Sequence, residues 1–287
     1  MPDRPARPAR AEPREVVELK QLRTDLPELV TAIDMQIALV EMHRRVQARV
    51  PLPWIQVSDA WLHAQQAAGR PLVRFADIPL EWTDFRLAFR QTADILSRFE
   101  ALEPADHRKI VALGREGNAL EPLVRDWFEQ TGAVEGAPPP ADAADRPQGL
   151  DQVLVLAIRP FLARCAEVLT QKADLAAWRH GHCPFCGWEP DFAVITPSAE
   201  RRLICGRCLA QWPFGPLTCP FCKNDDRALI TSFATRDGKY RVYACDVCRR
   251  YLKAYDGRYA ARPVMVSVDS IATLPLDAAA MQKGYVG

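Results

Sequence analysis

The sequence predicts an α+β protein: an all-α amino-terminal part followed by two small metal-binding modules in tandem. Two observations carry this. Eight of the nine cysteines fall in four Cys-x-x-Cys pairs: Cys183-Pro-Phe-Cys186, Cys205-Gly-Arg-Cys208, Cys219-Pro-Phe-Cys222 and Cys245-Asp-Val-Cys248. Upstream, between Glu15 and about Trp178, apolar residues recur at steps of three and four, the period of an amphipathic helix.

Residues 1–14 are rich in Pro, Arg and Ala and are expected to form a disordered tail. The helical part spans 15–178. Pro27 suits a helix start, and Leu26, Leu29, Val30, Ile33, Ile37 and Val40 make one stripe that ends before Pro51. Residues 58–68 read as a helix with Ser58 as N-cap and Gly69 as stop. Trp54 and Trp61 read as core anchors. Apolar positions from Trp82 to Phe99 define a long helix, followed by shorter ones near 105–117 and 119–131, parted at Gly117-Asn118. By composition, 132–148 is a loop or linker. Helical periodicity resumes from Leu154 to about Trp178, where Pro160 is expected to kink or divide the helix. Cys165 sits on its apolar face and reads as a small buried hydrophobe.

The metal modules occupy 179–215 and 216–262. They read as β-poor apart from the runs Arg201-Arg-Leu-Ile-Cys205 and Tyr240-Arg-Val-Tyr-Ala-Cys245. The tail 263–287 carries a strand-like Val264-Met-Val-Ser-Val268 and a weak helix at 277–282, and is expected to pack on the modules.

With 48% apolar and 25% charged residues and a net charge of +1, no global field points to nucleic acid or membrane. From Arg179 onward there are 15 Lys/Arg against 10 Asp/Glu, leaving 22 of the 37 and 26 of the 36 upstream. The metal region is therefore mildly basic, too little to make phosphate binding the default. The amino terminus lacks a signal-peptide core, and no run of about 18 apolar residues occurs. A cytoplasmic location is expected, where thiols stay reduced and paired cysteines favour metal over disulfides. The Arg-Arg dipeptides at 44–45, 201–202 and 249–250 read as solvated surface charge.

Sequential pairing gives two tetrathiolate sites. Cys183, Cys186, Cys205 and Cys208 would hold one metal; Cys219, Cys222, Cys245 and Cys248 would hold the other. The intervals between pairs are 18 and 22 residues, and Cys183-Pro-Phe-Cys186 recurs 36 residues on, so one module is duplicated. His180 and His182 could substitute as ligands, but a full set of cysteines makes that unnecessary. Modules this small bury too little apolar surface to fold unaided, so metal as staple is one reading. Four thiolates leave no open position, which argues against metal hydrolysis. Tetrahedral sulfur suits zinc, or a single iron as in rubredoxin. Rubredoxin-type loops commonly read Cys-Pro-x-Cys-Gly; Gly187 matches, whereas Leu209, Lys223 and Arg249 replace the glycine elsewhere. No nucleophile elbow, phosphate loop or His-Glu-x-x-His signature occurs, and His43, His63 and His107 read as surface or core residues. An enzyme is not indicated.

The order His-Cys-Pro-Phe-Cys-Gly187, Leu-Ile-Cys-Gly-Arg-Cys-Leu-Ala-Gln-Trp212, Thr-Cys-Pro-Phe-Cys222, Tyr-Ala-Cys-Asp-Val-Cys-Arg-Arg-Tyr-Leu-Lys253 and Asp269-Ser-Ile-Ala-Thr-Leu-Pro-Leu276 resembles the formate dehydrogenase accessory protein FdhE family. The resemblance is specific over 182–253 and 269–276 and loose in the helices. It implies a cytosolic assembly factor, not an enzyme, that contacts the catalytic subunit of respiratory formate dehydrogenase before export. It also implies rubredoxin-like iron at the eight paired cysteines, with zinc as the other candidate. A homo-oligomer is compatible with the sequence. Two other readings stand beside the resemblance. Cys183-Pro-Phe-Cys186-Gly187 motivates electron transfer. Tandem pairs with Arg201, Arg202, Arg207, Arg249 and Arg250 motivate a zinc-ribbon nucleic-acid binder, disfavoured because basic and aromatic residues form no single stripe.

Overall fold

The computed structural model describes residues 12–116, 119–130, 146–258 and 260–287. The tail up to residue 11, the break at 117–118 and most of the 132–148 stretch lie outside the described residues. Arg14 already opens the first helix, α1 (Arg14–Asp25), and after Pro27 the chain re-enters a helix as α2 (Val30–Gln47). Helix α3 (Asp59–Ala68) is capped as its sequence requires. The Ser58 hydroxyl accepts from the Trp61 amide at 3.4 Å, and Gly69 closes the helix at φ 63°. Helices α4 (Trp82–Arg98), α5 (Pro104–Leu113) and α6 (Leu120–Gln130) follow.

Helix α7 (Leu150–Lys172) runs unbroken through Pro160, against the expected division. Proline cannot donate to the carbonyl four residues back, Leu156. That carbonyl accepts instead from His43 Nε2 of α2, at 2.8 Å. A neighbouring helix thus supplies the missing donor, and α7 packs against both α2 and α4. Burial, then the charge of Arg159, lowers the His43 pKa to about 3, so the folded chain holds a neutral ring. Between pH 6.5 and about 3 the unfolded chain binds a proton that the folded chain does not. Stability is therefore expected to fall as pH drops through that window, by up to about 1.4 kcal/mol per pH unit from this group. Urea denaturation of wild type and His43→Gln at pH 7.0 and 5.5 checks this; the variant should lose part of the slope.

The cysteine-rich half is not β-poor. Strands β1 (Pro190–Ile195), β2 (Arg201–Cys205), β3 (Gln211–Pro213), β4 (Ile230–Ala234), β5 (Tyr240–Cys245) and β6 (Tyr251–Asp256) form one sheet, ordered β3-β2-β1-β6-β5-β4. Each module is an antiparallel three-strand meander, and the two join where β1 lies parallel to β6, Phe192 opposite Lys253. The duplicated modules thus repeat with the same polarity along one sheet.

Both central strands are covered on both faces. Ala193, Leu203, Leu252 and Ala254 face the helices, sharing one apolar core with Phe85, Phe89 and Phe161. Phe192, Val194 and Tyr255 face the carboxy-terminal segment. That segment is helical: α8 (Val266–Ala272) and α9 (Leu274–Gln282). The strand expected at 264–268 is absent because buried Asp269 caps the turn, accepting from the Met265 amide at 2.7 Å. Asp269 also takes the Tyr240 hydroxyl at 2.7 Å and Arg262 at 2.7 Å, while Lys253 meets Asp277 at 2.5 Å. These contacts tie α8 and α9 to the sheet, and α8 also closes over Val16, Leu19 and Ile33. Among the described residues, no helix is long and apolar enough to cross a membrane.

Trp54 is no core anchor. The residue is 84% exposed, with the Lys172 ammonium 5.4 Å from its ring, whereas Trp61 does pack against the core.

Candidate metal centres

Four Cys-x-x-Cys loops present the thiols, and the backbone of all four is the same. In each, the first cysteine's amide donates to the carbonyl five residues on: Cys183 to Trp188, Cys205 to Ala210, Cys219 to Asn224, Cys245 to Arg250. The residue after the second cysteine donates back to the first cysteine's carbonyl, at 2.9–3.2 Å. This closure needs a left-handed residue at that position. Gly187 (φ 74°), Leu209 (φ 61°), Lys223 (φ 63°) and Arg249 (φ 59°) all adopt it. The glycine seen in one loop is therefore a conformational preference that the other three override, at roughly 1 kcal/mol each. Lys223→Gly is expected to raise stability by up to about 1 kcal/mol, and Gly187→Ala to lower it similarly. Thermal denaturation of the metal-loaded protein measures both.

The loops converge in pairs, as the spacing suggested. Cys183, Cys186, Cys205 and Cys208 form one group and Cys219, Cys222, Cys245 and Cys248 another, the sulfurs of each within 4.8 Å of one another. Across the first group, Cys183 and Cys208 lie 3.5 Å apart and Cys186 and Cys205 3.4 Å. In the second, Cys219–Cys248 is 3.7 Å and Cys222–Cys245 is 3.6 Å. Metal–sulfur bonds of about 2.3 Å place the corners of a tetrahedron ~3.8 Å apart, so both groups fit a tetrathiolate-bound ion. All nine cysteines are free thiols. Backbone amides already point at the sulfurs: Phe185 at Cys183, Arg207 and Cys208 at Cys205, all within 3.4 Å. Burial and the neighbouring thiols push Cys183 and Cys208 well above the usual thiol range, so loading a metal must displace protons. Cys165 stands apart, buried in α7, its thiol pushed up to about 12 first by burial and then by Asp77.

The first group is stitched into the helices. The amides of Leu72 and Val73 donate to the Pro184 and Phe185 carbonyls at 2.9 and 2.8 Å. Arg159 of α7 donates to the Gly206 carbonyl at 2.6 Å. Arg207, between the third and fourth ligands of this group, is fully buried; it donates to the Cys186 carbonyl at 2.5 Å. Its guanidinium lies 4.6 Å from the Trp188 ring, 4.7 Å from Phe128 and 5.1 Å from Trp127, the last two from α6. The His180 and His182 rings lie outside both converging groups: His182 Nε2 donates to the Gly69 carbonyl at 2.9 Å, and the His180 ring packs 4.9 Å from Trp178.

The second group rests against the sheet. Cys222 and Cys248 are half-buried, and Val247, just before Cys248, is 56% exposed. Arg250 stacks on Phe221 at 3.6 Å and makes a bidentate pair with Glu189 at 2.7 Å, bridging the modules. Gly181 touches the Pro220 backbone so closely that a Cβ would lie 1.8 Å from its carbonyl oxygen.

Arg201 and Arg207, expected as surface cations, are both buried. Arg201 donates to the Gly215 and Thr218 carbonyls at 3.1 and 2.9 Å. Two of the five arginines that motivated nucleic-acid binding therefore cannot reach a phosphate. Arg159 carried no sequence signal, and Arg207 read as a surface cation although its place inside a Cys-x-x-Cys pair set it apart.

No family model and no curated protein matches the chain. Among solved structures it is similar to the FdhE protein from Pseudomonas aeruginosa, with a TM-score of 0.63 and 17% identity, covering 95% of this chain and 91% of that one. At that identity what is shared is the architecture: the chain has the fold of the FdhE protein.

Proposed function

We propose that this chain is an accessory protein for formate dehydrogenase, acting in the cytoplasm on the enzyme's catalytic subunit before export and performing no catalysis itself. The observation that carries the reading is the coincidence of an FdhE fold along the whole chain with two four-cysteine groups at the motif positions. Both groups fill all four metal positions with thiolate, which supports a structural or electron-carrying ion over a hydrolytic one. Deleting the gene is expected to abolish formate dehydrogenase activity without lowering the enzyme's transcript, and the tagged chain should co-purify with the catalytic subunit. Unchanged activity together with no co-purification sinks the proposal.

The half-buried Cys222 and Cys248 favour a second reading, in which an iron at that site exchanges electrons at the surface. Protein purified without oxygen should then develop ferric-thiolate absorption in the visible on oxidation. A colourless protein holding two zinc ions removes this reading and leaves the first intact.

A further inference from the structure

The two groups share one loop geometry and differ in how deeply it is buried. The first has all four sulfurs buried, with Cys183 and Cys205 at 0% and Cys186 and Cys208 at 2%. Helices and the 71–73 segment close it in, and the cations Arg159 and Arg207 stand beside it. The second leaves two of its cysteines, Cys222 and Cys248, only half-buried, and the residues following them, Lys223 and Arg249, are exposed.

A tetrathiolate has no vacant position, so an incoming ligand must displace a thiolate before the metal can leave. At the first group a displaced thiolate has no water to hydrate it and no room to leave, since all four cysteines are buried under the helices and the 71–73 segment. At the second, Cys222 or Cys248 can turn into solvent and be hydrated. We infer that the second group is an exchangeable metal site. It gives up and takes back a thiophilic divalent ion in competition with small thiol or nitrogen ligands, while the first stays loaded as part of the core. This rests on the reading that both groups hold metal.

The test uses the full-length protein loaded with zinc, mixed with excess 4-(2-pyridylazo)resorcinol and titrated with N-ethylmaleimide. Released zinc is read by absorbance, alkylated cysteines by peptide mass spectrometry and the fold by tryptophan fluorescence. One equivalent should leave at least about tenfold faster than the other, given a difference of more than 1.4 kcal/mol in barrier. The earliest label should fall on Cys222 and Cys248, with fluorescence unchanged. Release of both equivalents at one rate, or first labelling within Cys183, Cys186, Cys205 and Cys208, overturns the inference. Fewer than two equivalents after loading overturns the two-metal reading instead, and this inference with it. Cys222→Ser should retain one slowly released equivalent and native fluorescence.

Discussion

Cys205→Ser is expected to reduce the metal content from two ions to one and to abolish the cooperative thermal transition. A structural tetrathiolate contributes on the order of 10 kcal/mol, because the site exists only in the folded chain. A domain's whole net stability is about 5–15 kcal/mol, so losing most of one such site consumes nearly all of it. The effect spreads because the loops holding this ion also hold the helices: Leu72, Val73 and Arg159 donate to their carbonyls. Cys222→Ser should also lose one ion yet keep a two-state transition at lower temperature, since a half-buried hydroxyl can be hydrated. Metal analysis with circular dichroism melts distinguishes the two variants. Equal melting temperatures would contradict the unequal embedding of the two groups.

Arg207→Ala is expected to cost about 3–5 kcal/mol, comparable to deleting a large core side chain or breaking a buried charged contact. Three losses coincide. The Cys186 carbonyl loses its donor, the slot between Trp127, Phe128 and Trp188 empties, and a dianionic metal centre loses a buried cation. Arg207→Lys should recover little of this, because a compact ammonium cannot lie flat among three rings while reaching the same carbonyl. Urea midpoints of the metal-loaded variants measure the difference. A lysine variant as stable as wild type would mean that charge alone matters there.

The convergence of the eight paired cysteines into two groups was the most legible part of the chain, because thiol pairs at fixed spacing have few other uses in a reduced protein. The Ser58 and Gly69 ends of α3 were legible for a similar reason: caps are local chemistry. What escaped notice depended on partners distant in sequence. Pro160 reads as a breaker until His43, more than a hundred residues earlier, supplies the donor that the Leu156 carbonyl needs. Val264-Met-Val-Ser-Val268 has strand propensity, yet Asp269 turns it into a helix entrance by bonding Met265, Tyr240 and Arg262 together. Arg201–Cys205 and Tyr240–Cys245 read as β runs and are β2 and β5; the other four strands hid because each is short and the two central ones are covered on both faces, which erases the alternation that marks a half-buried strand. Arg201 and Arg207 looked like surface charge because nothing in a sequence announces the Gly215 and Thr218 carbonyls that hold the one or the three rings that enclose the other.

The parallel seam between β1 and β6 bears on the order of events at the ribosome. The first group's ligands have all been synthesised by Cys208, before any ligand of the second group exists. The strand that will cover the free edge of β1 comes only with Tyr251–Asp256. During that interval an apolar strand edge stands open, the kind of surface on which nascent chains aggregate. An ion captured early by the first four cysteines would hold the first meander in shape while it waits. Metal starvation should therefore show as insoluble chains made during growth, more than as soluble protein lacking its ions.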